Sequence, residues 1–500
     1  MMKQLHIAID ENSRASFTNN AAFCVGTGRM GLALHKEYLD QLAMAQDMAH
    51  FKHIRGHGLF CDDMGIYRPY TDADGVTHEA YNFTYLDRVV DSYLALGIKP
   101  FLELGFMPKK MASGKQTIFY WEGNTTPPAD EQKWTAMVKA TLTHLAQRYG
   151  EDEVSAWPCE VWNEPNLPGF WENADKPKYL RLYEITSKAV KEALPAMRVG
   201  GPAICGGAGS QEWVRDFLTF CREKQLPLDF VSRHAYMGQQ PNRVGRYLYH
   251  EMCTPEFTIE EMRKTREIID SFPEYKGMEM HITEFNTSYN PLCPIHDTNL
   301  NACCIAGLLA GLGDVAASYS YWTFGDVFEE CDVPSRPFHG GFGMIANGLI
   351  AKPTMYTFAF FNNLKGECVH RDAQSVIVRR ADGTLEGVVW NLCREDQSPL
   401  EVKIDAGWAG ASTLLTRTVD EDCCNPLKIW HEMGEPASLD REQLAFLREA
   451  AKPLCASAIV EDGKAASLTL GRNALVHFTL KPYQPQAEYG YDYNWYIEHY

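Results

Sequence analysis

Residues 156–194 read AWPCEVWNEPNLPGFWENADKPKYLRLYEITSKAVKEAL. This stretch shows the kind of structural unit from which most of the chain is predicted to be built. Its first part, 156–164, is a mostly apolar run with the length of a strand that is buried on both faces. Its last part, 177–194, has the pattern of an amphipathic helix. The stretch therefore predicts one strand followed by one helix, with polar residues where the strand ends.

The same strand-then-helix unit recurs along the first 350 residues. Eight such units predict an α/β fold, a (β/α)8 TIM barrel over residues 15–350, and an open doubly wound sheet is the alternative. The predicted strands are 21–28, 51–57, 99–106, 156–164, 198–204, 228–236, 278–286 and 317–325. The predicted helices are 31–51, 85–97, 129–150, 177–194, 211–225, 258–272, 300–313 and 352–364.

The pattern changes after residue 365, where short alternating strands are separated by turn dipeptides. We predict a C-terminal antiparallel β-sandwich over residues 351–500, with a small helical insert near 438–451. KQLHIAID at 3–10 alternates in the same way, so residues 1–14 are predicted to add a strand to this sandwich. The aromatic C-terminal tail, YGYDYNWYIEHY, receives no assignment.

The composition limits the classes of partner. The formal net charge is −18, which argues against binding to nucleic acid or to an anionic membrane surface, because both need a basic face. No apolar run has the roughly 18 residues that a membrane span needs. The N-terminus lacks the apolar core of a signal peptide, so the 15 cysteines are expected to be free thiols in a cytoplasmic protein.

Polar and charged residues stand at the carboxyl ends of the predicted strands, where a barrel of this type carries its active site. Glu164 ends the fourth strand in EVWNEPN, and Glu284 lies in HITEFNTSY on the seventh. Strands four and seven lie three steps apart round a ring of eight, so these carboxyl groups are expected to face each other. A facing pair of carboxyl groups is what hydrolysis of a glycosidic bond requires.

Neighbouring residues suit the same chemistry. Asn163 can bind a sugar 2-hydroxyl, and Trp322 offers a face on which a sugar ring can stack. Tyr236 and His234 are expected to donate to Glu284 and lower its pKa. The remaining candidates for sugar contacts are His57, Glu329 and Glu330.

CVGTGRMG at 24–31 also fits the G-x-G-x-x-G spacing of a dinucleotide-binding turn. Arg55, at the end of the next strand, could accept a 2′-phosphate, so a dinucleotide-dependent oxidoreductase is a remote alternative. Eight strands and a facing pair of glutamates favour the glycosidase. Gly26 and Gly28 are then expected to form a floor of small residues at the rim of the site.

Several quoted segments resemble glycoside hydrolase family 39, in particular its β-xylosidases. EVWNEPNLPGFW and HITEFNTSYNP are similar to the acid/base and nucleophile segments of that family. The resemblance runs from about residue 20 to 364, and the sandwich with its insert fits the accessory region of the family. Other segments that resemble those enzymes are IRGHGLFCDDMGIY, PFLELGFMPKKMASG, SRHAY and YWTFGDVFEE.

The resemblance implies a retaining mechanism with Glu164 as acid/base and Glu284 as nucleophile, and sugar contacts from the residues named above. We expect a retaining exo-β-glycosidase, most specifically a β-xylosidase acting on short xylo-oligosaccharides, with a carboxyl separation of about 5–5.5 Å. A β-glucosidase and an α-L-iduronidase are the alternatives within the family. The mechanism needs no metal or cofactor, and because family members are often oligomeric, a homo-oligomer is an expectation.

Overall fold

The computed structural model describes residues 2–483, 490–492 and 494–500, so part of the aromatic C-terminal tail lies outside the described residues. Eight parallel strands form a closed barrel in which each strand pairs with the next along the chain and the eighth pairs with the first. The predicted (β/α)8 barrel is confirmed, and the open sheet is excluded. The barrel strands are Cys24–Thr27, His53–Gly56, Lys99–Leu104, Cys159–Val161, Val199–Ile204, Phe230–Tyr236, Glu279–Asn286 and Ser318–Tyr321.

The helices pack round this barrel with their apolar residues against it, and Asn299–Leu312 is buried on nearly all sides. The predicted helix 31–51 is divided, because His35 has an extended backbone (φ −88°, ψ 138°) that separates the short 3₁₀ turn Met30–Leu34 from the helix that follows. The barrel helices are Lys36–Ala49, Thr84–Ala95, Glu131–Tyr149, Lys176–Ala193, Ser210–Glu223, Pro255–Asp270, Asn299–Leu312 and Pro353–Asn363.

The last of these helices lies just beyond the predicted domain boundary at residue 350. Pro353–Asn363 packs against the first barrel helix, Lys36–Ala49, and against Asn299–Leu312. Its apolar residues belong to the same core as the barrel. These contacts place the helix in the layer round the barrel, and the division of the chain at residue 350 stays a prediction.

The C-terminal region is a β-sandwich of a six-stranded and a three-stranded sheet around a core of its own. In the three-stranded sheet, Lys3–Ala8 pairs in parallel with Leu400–Asp405, which pairs antiparallel with Ala466–Leu470. The predicted antiparallel sandwich thus contains one parallel pair, made by the N-terminal strand. The six-stranded sheet has the order Glu367–Arg371, Ser375–Arg379, Leu385–Trp390, Leu475–Pro482, Ser412–Val419 and Leu454–Val460.

The insert contains two helices, Pro426–Glu432 and Arg441–Ala450, where one was predicted near 438–451. Trp430 on the first and Leu447 on the second are buried in the barrel's core cluster, so the insert is anchored to the barrel. A hairpin, Gly238–Val244 with Tyr247–Met252, follows the sixth barrel strand. Among the described helices, none combines the length and apolar character needed to cross a bilayer.

Candidate active site

Glu164 stands just beyond the fourth barrel strand, where the backbone turns. Trp162 and Glu164 have positive φ angles of 72° and 47°, which residues with side chains adopt only when their surroundings hold them there. The Glu164 amide donates to the Ala203 carbonyl at 2.9 Å, and the Trp162 indole donates to the Phe170 carbonyl at 2.9 Å. This geometry ends the strand at Val161, short of the predicted residue 164, and fixes the direction of the Glu164 carboxyl group.

Glu284 lies within the seventh strand, and two donors hold its carboxylate. The Arg55 guanidinium donates from Nη1 to Oε1 of Glu284 at 2.5 Å. The Tyr236 hydroxyl donates to Oε2 at 2.7 Å. Both of these donors stabilise the ionised form of Glu284.

The two carboxyl groups are close together, as predicted from their strands. One oxygen of Glu164, one oxygen of Glu284 and Nδ1 of His234 all lie within 4.8 Å of one another. A retaining glycosidase needs a carboxyl separation of about 5–5.5 Å, whereas an inverting one needs about 6.5–9.5 Å to admit a water. The side chains of Glu164 and Glu284 are 8% and 6% exposed, so both carboxyl groups keep a small contact with solvent.

The environments of the two carboxyl groups differ. Burial, followed by the charge of Glu284, raises the pKa of Glu164 well above its usual value. Burial also raises the pKa of Glu284, but Arg55 and Tyr236 oppose that rise. The pair is therefore expected to lose its first proton at Glu284, leaving Glu164 protonated. The expected donation from Tyr236 does lower the pKa of Glu284, but burial raises that pKa by more.

His234 lies at hydrogen-bond distance from Glu164, whereas the sequence predicted a contact with Glu284. Its Nδ1 lies 2.7 Å from Oε1 of Glu164 and 3.5 Å from Oε2 of Glu284. Burial lowers the pKa of this imidazole well below its usual value, so the ring is neutral. His234 thus orients the Glu164 carboxyl group. The three groups offer ligand atoms of a kind that metals bind, but the Arg55 cation already neutralises Glu284.

Arg55 lies at the centre of this site, and the sequence alone did not predict that position. Its fully buried guanidinium binds Glu160 Oε2 at 2.6 Å, Glu103 Oε2 at 2.8 Å and Asn163 Oδ1 at 2.8 Å, besides Glu284. Burial raises the pKa of Glu103 to about 8. Charged residues inside otherwise apolar strands were a usable signal, because buried charges are almost always paired.

Glu329 and Glu330 are adjacent in sequence but face different partners. Glu330 Oε1 lies 3.5 Å from Nε2 of His57, and burial together with the charges of Glu284 and Glu164 raises its pKa well above the usual value. Glu329 instead pairs with Arg29 at 2.8 Å, and Arg29 also pairs with Asp63. Glu330 thus belongs to the site, and Glu329 is already neutralised beside it.

Aromatic rings surround His57, whose ring nitrogens have no hydrogen-bond partner among the described residues. Trp322 packs edge-on against His57 with ring centroids 5.2 Å apart. A Cβ on Gly26 would lie 2.7 Å from Cε3 of Trp322, and one on Gly28 would lie 2.9 Å from the Phe328 ring. The glycine motif therefore makes room for aromatic side chains. Since Arg55 is bound to carboxylates, it is not free to accept a dinucleotide 2′-phosphate.

A closed parallel barrel with two close glutamates at the ends of its fourth and seventh strands defines a glycoside hydrolase. Comparison with known proteins agrees with this class. The sequence model of glycosyl hydrolases family 39 matches residues 5–465, and the chain belongs to that family, a family of retaining glycosidases.

Named relatives cover nearly the whole chain. A β-xylosidase of Geobacillus stearothermophilus is 49% identical over 450 residues, which are 89% of this chain and 88% of the relative. A β-xylosidase of Caldicellulosiruptor saccharolyticus is 32% identical over 461 residues, 90% of this chain and 92% of the relative. The crystal structure of a monomeric β-xylosidase from Caulobacter crescentus CB15 superposes with a TM-score of 0.86 at 31% identity, covering 96% of this chain and 99% of the other.

Proposed function

We propose that this glycoside hydrolase is a retaining, exo-acting β-xylosidase that releases xylose from the non-reducing end of short xylo-oligosaccharides. The observation that carries the mechanism is the close pair Glu164 and Glu284, of which only Glu284 is bound by a cation. The names of the two relatives from Geobacillus and Caldicellulosiruptor support xylose as the sugar.

Glu284 is the nucleophile in the first step. An oxygen of its carboxylate forms a bond to the anomeric carbon while the bond from that carbon to the glycosidic oxygen breaks. Glu164 gives its proton to the departing oxygen, which leaves as an alcohol. Arg55 and Tyr236 keep Glu284 ionised for this attack, and the burial of Glu164 keeps its proton in place until then.

Glu164 is the base in the second step. Having lost its proton, it accepts one from a water molecule, and the resulting hydroxide attacks the anomeric carbon. The bond between that carbon and Glu284 breaks, so Glu284 leaves as a carboxylate and Arg55 again neutralises it. Two inversions at one carbon release xylose with the β-configuration of the substrate.

The remaining site residues are proposed to hold the sugar. Arg55 donates a hydrogen bond to Oδ1 of Asn163 at 2.8 Å. The amide nitrogen of Asn163 is then left to donate to the 2-hydroxyl of the sugar. Glu330 and the ring nitrogens of His57 can bind other hydroxyls, and Trp322 can stack against the ring. The low exposure of the two glutamate side chains, 8% and 6%, favours a chain end over the interior of a long polysaccharide.

The two alternatives within the family differ in the sugar. An iduronidase needs a cation for the uronate carboxylate, but the two arginines that form ion pairs with described site residues, Arg55 and Arg29, are already engaged by carboxylates. A β-glucosidase would need additional space for one hydroxymethyl group. The same proposal includes a cytoplasmic location, since all 15 cysteines are free thiols and most are buried, and no nucleic-acid partner for so acidic a chain.

A panel of nitrophenyl glycosides tests the sugar. We expect the wild-type chain to hydrolyse the β-D-xyloside with a higher kcat/KM than the β-D-glucoside or the α-L-iduronide. Glu284→Gln is expected to abolish nearly all of that activity while the protein stays folded by circular dichroism. A higher kcat/KM on either other glycoside would refute the xylosidase assignment.

Proton NMR of the first turnover tests the mechanism separately from the sugar. The wild-type chain is expected to release β-xylose first, with the α-anomer appearing later by mutarotation. If the α-anomer appears first, the enzyme inverts, and the proposed role of Glu284 as a nucleophile is wrong.

A further inference from the structure

The strand Leu454–Val460, here called the edge strand, is the last strand of the six-stranded sheet. Its sequence, LCASAIV, contains no charged residue and no proline. Six of its seven residues are exposed and the seventh is half-buried; Leu454 and Ile459 are each 58% exposed. The opposing sheet has only three strands, and of the edge strand only Val460 packs, half-buried, against the sandwich core, so its other side chains are exposed.

The outer side of the edge strand has main-chain groups available for pairing. The amide of Tyr483 donates to the carbonyl of Ala411 at 2.8 Å, which continues the ladder between Leu475–Pro482 and Ser412–Val419. Main-chain groups alternate in direction along a strand, so even-numbered residues of Ser412–Val419 face the edge strand. The even-numbered residues of the edge strand form the main-chain hydrogen bonds to Ser412–Val419. Its odd-numbered residues, Cys455, Ser457 and Ile459, therefore direct their N–H and C=O groups outward.

Such an edge is unusual in a soluble protein. Exposed edges are normally blocked by lysine, proline, a bulge or a covering segment, because a free apolar edge is a template for another strand. The pairing of the edge strand with Ser412–Val419 is regular along its whole length, without a bulge. Among the described residues, no strand pairs with its outer side.

We propose that the edge strand pairs antiparallel with the edge strand of a second copy of this chain, about a twofold axis at Ser457. This register uses the full length of the strand and places outward-facing residues opposite each other. Ser457 meets Ser457 of the second copy, Cys455 meets Ile459, and Leu454 meets Val460. About six interstrand hydrogen bonds would form, one from each outward N–H of the two copies.

The charges that flank the edge strand favour the antiparallel arrangement. Lys452 precedes the strand, and Glu461 and Asp462 follow it. In the register centred on Ser457, Lys452 lies opposite Asp462 of the second copy, although Lys452 also pairs with Glu449 of its own chain. A parallel arrangement would instead place Lys452 beside a second Lys452. Opposite charges across a strand pair stabilise it, and like charges destabilise it.

Sedimentation of the full chain tests the pairing. The wild-type chain is expected to sediment as a dimer or a multiple of one at micromolar concentration. Ser457→Lys places two lysines opposite each other on the axis, and its side chain is exposed in the single chain, so it is expected to yield particles of half the wild-type mass with unchanged kcat/KM. Val76→Lys, at another exposed apolar residue, is the control and should leave the mass unchanged.

Cross-linking tests the register without disrupting the interface. In the Cys455→Ser background, Ser457→Cys is expected to form a disulfide-linked dimer on mild oxidation, because the two residues lie opposite each other. The chain with Cys455→Ser alone should form no such disulfide-linked dimer. The wild-type chain should form less of it than the double variant, because Cys455 lies opposite Ile459 of the second copy.

Three results would overturn the proposal. A monomeric wild-type chain would mean that the edge strand is covered by the C-terminal tail or by another protein. An oligomer that withstands Ser457→Lys would be held by a different surface. An absence of cross-linking by Ser457→Cys in a confirmed dimer would exclude this strand from its interface.

Discussion

The Arg55 guanidinium lies 2.5 Å from a carboxylate oxygen of Glu284, and it comes from a strand 229 residues away in the chain. The same guanidinium binds Glu103 and Glu160, so one cation serves three carboxylates in the interior of the barrel. Loss of a cation from such a cluster leaves buried negative charges without compensation, which typically costs about 3–5 kcal/mol. Arg55 therefore links the stability of the barrel to the ionisation of Glu284, the proposed nucleophile.

Arg55→Lys is expected to lower both stability and activity. Lysine keeps the charge but cannot reproduce the fork that reaches Glu160, Glu284 and Asn163 together. We expect a lower melting temperature by calorimetry and a kcat on nitrophenyl β-xyloside that falls at least about tenfold, as for a lost interaction of roughly 1.4 kcal/mol. Arg29→Lys, on the neighbouring Arg29–Glu329 pair, is the control. An equal loss of kcat in both variants would show that Arg55 has no special role.

Glu164→Gln is expected to affect substrates according to their leaving groups. A missing general acid typically lowers the rate about 10²–10⁴-fold when the departing oxygen needs a proton. We expect a large loss of kcat on xylobiose and a smaller loss in the first turnover of dinitrophenyl β-xyloside, whose leaving group departs without one. Stopped-flow measurement of dinitrophenol release checks this. Equal losses on both substrates would contradict the assignment of Glu164 as the acid.

The adjacent residues Glu330 and Glu329 form a matched pair for testing sugar contacts. Glu330→Gln is expected to lower kcat/KM by about 10–100-fold, since a polar group left without its hydrogen-bond partner in the bound complex costs about 1–3 kcal/mol. Glu329→Gln should have a smaller effect on kcat/KM, because Glu329 already pairs with Arg29. Steady-state kinetics on nitrophenyl β-xyloside compares the two variants. A larger loss from Glu329→Gln would exchange their proposed roles.

Glu103→Gln is expected to change how stability depends on pH. Burial raises the pKa of Glu103 to about 8, so the folded chain binds more protons at this residue than the unfolded chain between its ordinary pKa near 4.5 and that value. Stability from this group is present below pH 4.5 and is lost as pH rises towards 8. The glutamine side chain resembles the protonated carboxyl group of Glu103 and does not titrate, so the variant lacks this loss of stability.

Urea unfolding at pH 5 and pH 8 measures that change. Relative to the wild-type chain, Glu103→Gln should be more stable at pH 8 than at pH 5. Glu279→Gln is the control that should show almost no difference between the two pH values, because pairing with His281 and Arg198 lowers the pKa of Glu279 to about 2 and the carboxyl group is ionised in the folded chain at both. If the relative stability of Glu103→Gln is the same at both pH values, the carboxyl group does not titrate in this range.

Sequence patterns predicted most of the barrel because each strand is buried on both faces and reads as an apolar run. All eight predicted strands overlap observed ones, and Glu164 and Glu284 lie at the predicted strand ends. The pattern was less informative where local backbone geometry decides the outcome. The early end of the fourth strand at Val161 and the extended His35 depend on contacts that no local periodicity contains.

The order of residues along the chain thus determined the barrel, the sandwich and the two facing glutamates, because these follow from the period of burial and from the parallel arrangement of strands. Only the tertiary structure decided which groups neutralise those glutamates. Arg55, Glu103, Glu160 and Tyr236 lie on four different strands, and their mutual distances depend on how the barrel closes. The pKa of a buried group is set by such neighbours in space, and so the difference between the environments of Glu164 and Glu284 became visible only in the folded chain.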